Sequence, residues 1–193
     1  MLKCSKMMDE RRSSMEFQKV VETRRSVRAF NPLEKVSGQQ MREILEAAIL
    51  APSWKNSQTA RYYCVVSSDL LEKVRNECLP EFNANSCQGA SVLVVTAFVM
   101  NRSGFERDGQ AVNELGNGWG IYDLALQNEN MVLKAKDLGI DSLIMGIRDE
   151  AKLRELLEVP KDQKIVSVIA FGYGMVEPEM PPRKKDTEIA RFF

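Results

Sequence analysis

The sequence predicts a layered α+β fold, a single sheet covered by helices, and three observations carry that expectation. Four short apolar runs, Tyr62–Val66, Ser91–Val99, Ser142–Ile147 and Lys164–Phe171, read as strands. Between them lie segments whose apolar residues recur at helical spacing, the strongest from Trp119 to Leu138. Strands alternating with five or six helices of this kind fit an α+β or α/β arrangement of layers. The chain has 193 residues, of which 44% are hydrophobic and 28% charged, enough for one packed core without staples.

Taken in order, residues 1–15 read as a flexible N-terminal extension, with Met15 an alternative start. The segment lacks the apolar stretch of roughly 7–15 residues that a secretory signal needs. The folded unit is expected over residues 16–193. Glu16–Thr23 fits a short helix with Phe17, Val20 and Val21 inward. Ser37 is an N-cap with Gln40 at the capping-box position. Met41, Ile44, Leu45, Ala48 and Ile49 then follow at helical spacing until Pro52 stops the run. After the first strand, Asp69 can cap a helix over Leu70–Glu77. Ser91–Val99 is apolar apart from Thr96 and suits a strand covered on both faces.

Residues 101–118 are polar and weakly periodic, as a loop or lid with a short helix would be. In the long helix Ile121, Leu124, Ala125, Asn128, Val132, Ala135 and Leu138 share one broad face, and Gly139 occupies the position of a left-handed cap. A helix so apolar is expected between the sheet and something else, such as a second subunit. Asp149–Leu157 reads as a capped helix, and residues 175–193 as a proline-marked, then basic, C-terminal extension.

Several function classes are disfavoured before any motif is considered. Lys plus Arg and Asp plus Glu both number 27, so there is no basic field of the kind nucleic-acid binders carry. There is no histidine, which removes the commonest general base and zinc ligand and rules out Ser-His-Asp or Cys-His catalysis from this chain alone. Cys4, Cys64, Cys78 and Cys87 show no CxxC spacing, so neither a disulfide framework nor a metal site is expected. No apolar run reaches the roughly 18 residues of a membrane span. The expectation is a soluble cytoplasmic protein whose chemistry comes from carboxylates, lysines or a cofactor.

Four segments could carry that chemistry, each with a plain alternative. Arg24, Arg25, Ser26 and Arg28 put three guanidiniums and a hydroxyl at a helix end, which suits a phosphate or simply a solvated basic turn. In Pro52-Ser53-Trp54-Lys55-Asn56-Ser57-Gln58, the amides of Asn56 and Gln58 can both donate and accept, as the pyrimidine edge of a flavin requires; Pro, Ser and Asn are also ordinary loop formers. Ile144-Met145-Gly146 ends a strand, where glycine allows a ligand to approach the backbone or merely marks the exit. Arg183, Lys184 and Lys185 form a second basic cluster, able to complete a phosphate site or to remain solvated. The Gly116-x-Gly118-x-Gly120 and Gly172-x-Gly174 patterns fall short of a dinucleotide fingerprint, and the first has no strand before it.

In their order and spacing, RRSVRAF, APSWKNSQ, LGIDSLIMGI and GYGMVEPEMPPRKK resemble the FMN-dependent nitroreductase family over about residues 16–185. The resemblance implies a mainly antiparallel sheet of four to five strands flanked by helices, in an intertwined homodimer with two FMN sites at its interface and residues 175–193 on the partner. It implies that Arg24 and Ser26 hold phosphate or ribityl oxygens, with Arg25 against the ring or ribityl chain and Arg28 assisting. Pro52, Ser53, Trp54, Asn56 and Gln58 would reach the flavin from the partner subunit. Ile144 and the backbone of Met145 and Gly146 would lie near flavin N5, and Arg183, Lys184 and Lys185 would close the phosphate site. The implied activity is ping-pong hydride transfer from NAD(P)H to a nitroaromatic, quinone or similar acceptor, with no catalytic side chain. A substrate-specific dehydrogenase, dehalogenase or flavin-destroying enzyme of the same fold, or a non-enzymatic flavin-binding protein, is the alternative. Two departures bear on substrate choice. Thr59-Ala60 stands where the family has Pro-Trp, and Trp54 fills a position that is commonly small or polar.

Overall fold

The computed structural model describes residues 15–193, so all of the expected N-terminal extension but Met15 lies outside the described residues. The chain runs α1 (Phe17–Thr23), α2 (Gly38–Ile49), a 3-10 turn (Trp54–Asn56), β1 (Ala60–Val65), α3 (Ser68–Lys73) continued by a π turn (Val74–Cys78), and α4 (Glu81–Ser86). It continues with β2 (Val92–Val99), α5 (Gly118–Asp137), β3 (Asp141–Met145), α6 (Glu150–Leu156), β4 (Gln163–Gly172) and α7 (Asp186–Ile189). The four strands form one antiparallel sheet in the order β1-β2-β4-β3. Among the described residues no helix is long and apolar enough to cross a membrane.

The central pair explains the continuous apolar runs: β2 and β4 face packed layers on both sides. Leu93, Val95, Ala97, Val168 and Ala170 meet Val74, Cys78 and Leu153 from the α3 and α6 side. Val92, Val94, Ile169 and Phe171 meet Ile44 and Ala48 of α2 and Met131, Val132 and Ala135 of α5. The expected capping box starts α2: Ser37 Oγ accepts from the Gln40 N–H at 3.2 Å while Gln40 Oε1 accepts from the Ser37 N–H at 2.9 Å. Gly139, at φ +74°, ends α5 as expected, with the Ile140 N–H bonded to Ala135 O at 2.8 Å.

Several element-level expectations are corrected. In α1 only Val20 is buried; Phe17 is 72% and Val21 45% exposed, because so short a helix turns a single side chain onto the layer beneath. On α5, Ile121 and Ala125 are exposed although they lie on the apolar face, while Asp123 and Gln127 are buried. The helix expected over Leu70–Glu77 begins at Ser68, with Ser67 rather than Asp69 as its cap, and widens to a π turn after Lys73. Helix α4, unforeseen, buries only Asn83 and Ser86, so no apolar period announced it. Ile49 is exposed at the end of α2. Residues 101–117 contain turns and a Phe105–Ala111 bridge, not a short helix.

Where α5 crosses β2 the helix presents Gly120, and a Cβ there would stand 2.3 Å from the buried Phe98 ring. Gly120→Ala is therefore expected to destabilise the fold by about 1–3 kcal/mol through overpacking. Calorimetric melting should show the loss; an unchanged Tm would mean that the crossing is looser than this.

Candidate functional site

The first cluster lies at the outer edge of β3. Ser26 forms a parallel bridge to Ser142, and the Val27 N–H donates to Ser142 O at 3.0 Å. Val27 is 1% exposed and pins the segment, which leaves Ser26 and Arg28 at the surface. The side chains of Arg25 and Arg28 diverge from there. Arg28 lines a cavity of about 540 Å³ with Lys35 and Arg75, opposed by the single carboxylate of Glu72. Arg25 donates to Arg24 O at 2.7 Å and lines another cavity, of about 600 Å³, with Lys19 and Lys136. Cys87 also borders the Arg28 cavity. Burial, partly offset by Arg75, pushes its thiol up to about 11, so at neutral pH it is protonated and no nucleophile.

Along β3, Met145 faces the core and Ile144 is exposed. Gly146 follows the last ladder pair, Met145 with Val168, and the side on which a Cβ would stand is open space for at least 4 Å. Two side chains that carried no motif hold this turn. Asn83 Nδ2 donates to Ile147 O at 2.8 Å, and Arg148 donates to Gly146 O at 3.0 Å and to Ile165 O.

The second cluster is the turn between α2 and β1. Lys55, Asn56 and Gln58 all have left-handed backbone, with φ of +45°, +56° and +48°. Asparagine tolerates this; for the other two it costs roughly 1–2 kcal/mol each. The turn is fastened by the Gln58 N–H donating to Ser53 Oγ at 3.1 Å and by a carboxylate from α5. Asp123, only 3% exposed, accepts from the Trp54 N–H at 3.1 and 3.0 Å, from Ser57 Oγ at 3.3 Å and from Ser103 Oγ at 2.5 Å. So fastened, the turn leaves Asn56 and Gln58 exposed. Trp54 packs on Trp119 with ring centroids 4.6 Å apart, and Trp119 meets Tyr122 at 5.7 Å. Lys55 bridges to Glu106 at 3.2 Å, closing one side of a cavity of about 500 Å³ between this turn and residues 101–109.

A single chain does not bring these clusters together. The 52–58 turn leads into β1 and the RRSVR segment pairs outside β3, beyond opposite edges of the sheet and four strand spacings, about 19 Å, apart across it. Arg183, Lys184 and Lys185 lie on a tail exposed from residue 181 to the C-terminus, where Arg183 donates to Pro181 O and the Lys185 N–H to Glu188 Oε2. Among the described residues no three potential metal ligands converge.

A layered antiparallel sheet carrying basic side chains beyond one edge and a strained amide-bearing turn at the other defines an α+β class, and comparison with known proteins gives the family. The model of the nitroreductase family matches residues 21–173. A protein of Archaeoglobus fulgidus, provisionally named NADH dehydrogenase/NAD(P)H nitroreductase, is 30% identical over 164 residues, covering 80% of this chain and 83% of that one. The chain belongs to the nitroreductase family, and with it to the oxidoreductases. Among solved structures, a nitroreductase family protein of Streptococcus pneumoniae superposes with a TM-score of 0.79 at 20% identity, covering 92% of this chain and 100% of that one. A provisionally named nitroreductase of Exiguobacterium sibiricum, solved in complex with FMN, gives 0.81 at 22% identity over 94% and 99%. These share the fold.

Proposed function

We propose that this chain is an FMN-dependent oxidoreductase carrying hydride from NAD(P)H to a small aromatic or quinone-like acceptor, and that it works as a homodimer with shared sites. The observation that carries this reading is the separation of the two candidate segments: basic side chains and Ser26 at the β3 edge, and an amide-bearing turn at the β1 edge. A second copy supplies what each edge lacks. FMN-bound and NAD(P)H-named relatives support the choice of cofactor and donor.

The residues present fit that cofactor. Arg24, Ser26 and Arg28 would hold the phosphate and ribityl oxygens, with Arg183 and Lys184 or Lys185 of the tail added. Arg25, turned to the neighbouring cavity, would reach the ring or ribityl chain. Asn56 and Gln58, presented by Pro52 and Ser53, offer the donors and acceptors that a pyrimidine edge pairs with. The open space beside Gly146 admits a ring against the backbone at the end of β3, next to the exposed Ile144. FMN, when bound, accepts and returns the hydride, so the protein's own part is to bind, orient and exclude water. Trp54 and Trp119 wall the acceptor side, and donor and acceptor would occupy that place in turn. The well-fastened 101–117 segment favours a selective acceptor over a general one.

Anaerobic addition of NADH, then NADPH, to the FMN-loaded protein is expected to bleach its yellow absorption. Retained colour with both reductants overturns the donor assignment, and no uptake of FMN overturns the cofactor.

A further inference from the structure

The buried carboxylate of Asp123 is not accounted for by any role given above to the site residues. It sits on the second turn of α5, 3% exposed, and among the described residues it makes no ion pair. A carboxylate withdrawn from water without a cation is costly unless hydrogen bonds replace its hydration. Here every donor comes from one of two segments. The Trp54 N–H and the Ser57 hydroxyl belong to the strained turn, and the Ser103 hydroxyl to the segment that closes over it. Between the two turn contacts lie Lys55 and Asn56, both left-handed, with Gln58 immediately beyond. Such backbone persists only where its surroundings over-determine it. Of the other fastenings, Gln58 N–H to Ser53 Oγ is internal to the turn, while the exposed Lys55–Glu106 pair and the packing of Trp54 on Trp119 hold side chains and bond no backbone group of the turn.

We infer that Asp123 is the positioning residue that sets the 52–58 turn in its ligand-reading shape, holding Asn56 and Gln58 outward, with Ser103 orienting the carboxylate from the other side. The inference takes its ligand from the FMN reading, but the fastening itself can be tested without any ligand. A carboxylate is required because each oxygen must accept and none may donate: Trp54 bonds to both oxygens, and Oδ2 also takes both serine hydroxyls. Asparagine at this position turns one acceptor into a donor, which faces the Trp54 N–H in either orientation of the amide.

The test uses the full chain with Asp123→Asn, Asp123→Ala and Ser103→Ala, and reads two quantities. Amide hydrogen exchange, without added FMN, is expected to show Trp54 protected in the native protein. That amide should exchange at least about tenfold faster in Asp123→Asn and Asp123→Ala, and less so in Ser103→Ala, while amides of β2 and β4 keep their native rates. FMN titration is expected to show Kd raised about ten- to a hundredfold in both Asp123 variants. A role in general stability alone would instead speed exchange throughout the sheet and leave the Kd of the folded fraction unchanged; that result overturns the inference. So does a Trp54 amide unprotected in the native chain. If the native protein takes up no FMN, the cofactor reading fails, and exchange at Trp54 still decides the role of Asp123. Should Asp123→Ala not fold, Asp123→Asn and Ser103→Ala carry the test.

Discussion

Replacing Arg24 and Arg28 together with alanine is expected to weaken FMN binding by about 10²–10⁴-fold. Each guanidinium offers a charge-assisted hydrogen bond to phosphate of about 1.5–3 kcal/mol, and about 1.4 kcal/mol is tenfold in Kd. Stability should change little, because Val27 rather than either arginine anchors the segment, and Arg28 is exposed. Fluorescence titration with FMN, beside the Tm of the FMN-free variant, separates the two effects. The single replacement Arg25→Ala adds a geometric check. Arg25 lines a different cavity from Arg28, so a phosphate held on the Arg28 side predicts a smaller loss for Arg25. An unchanged Kd in the double variant would remove the β3 edge from the binding site.

How far such a site could be read beforehand depended on which physical signal each part leaves in sequence. The central strands were legible because β2 and β4 are buried on both faces and so read as apolar runs interrupted within the core only by Thr96 and Ser167. The ends of α2 and α5 were legible because caps have local chemistry: Ser37 with Gln40, and Gly139 at positive φ. Helix α4 left no trace, since only Asn83 and Ser86 of it are buried and neither is apolar. The same limit hid the supports of the site. Asp123, Ser103, Asn83 and Arg148 act across 17 to 69 residues of sequence, through hydrogen bonds to partners that only the fold brings near. Asp123 itself left no signal, because at about 100° per residue it falls opposite Ile121, Ala125 and Val132, beside Gln127 and Asn130. The exposure of Ile121 and Ala125 ran against periodicity because an apolar stripe reports that a surface is to be covered without saying by which chain.

That uncovered surface leads to the second large effect: removal of residues 175–193 is expected to leave a monomer that binds FMN at least about a hundredfold more weakly. The tail leaves its own body after the Met175 N–H bonds to Ala29 O, and from residue 181 onward every side chain is exposed. It nevertheless carries Met180, Ile189, Phe192 and Phe193, each more than half exposed. Apolar groups of that size are ordinarily removed from water, at about 25 cal/mol per Å². In this chain α5 offers Ile121, Tyr122 and Ala125, and the end of α2 offers Ile49 and Leu50, as uncovered apolar surface. If the tail of one copy lies on the other, both surfaces are satisfied together, and Arg183, Lys184 and Lys185 travel with it towards the partner's β3 edge. Truncation should then remove the basic cluster and the dimer in one step, whereas alanines at 183–185 should weaken FMN and leave the dimer intact. Sedimentation velocity on both variants distinguishes the two contributions. A truncated chain that remains dimeric and yellow would show that α5 alone makes the interface and that the site closes without the tail.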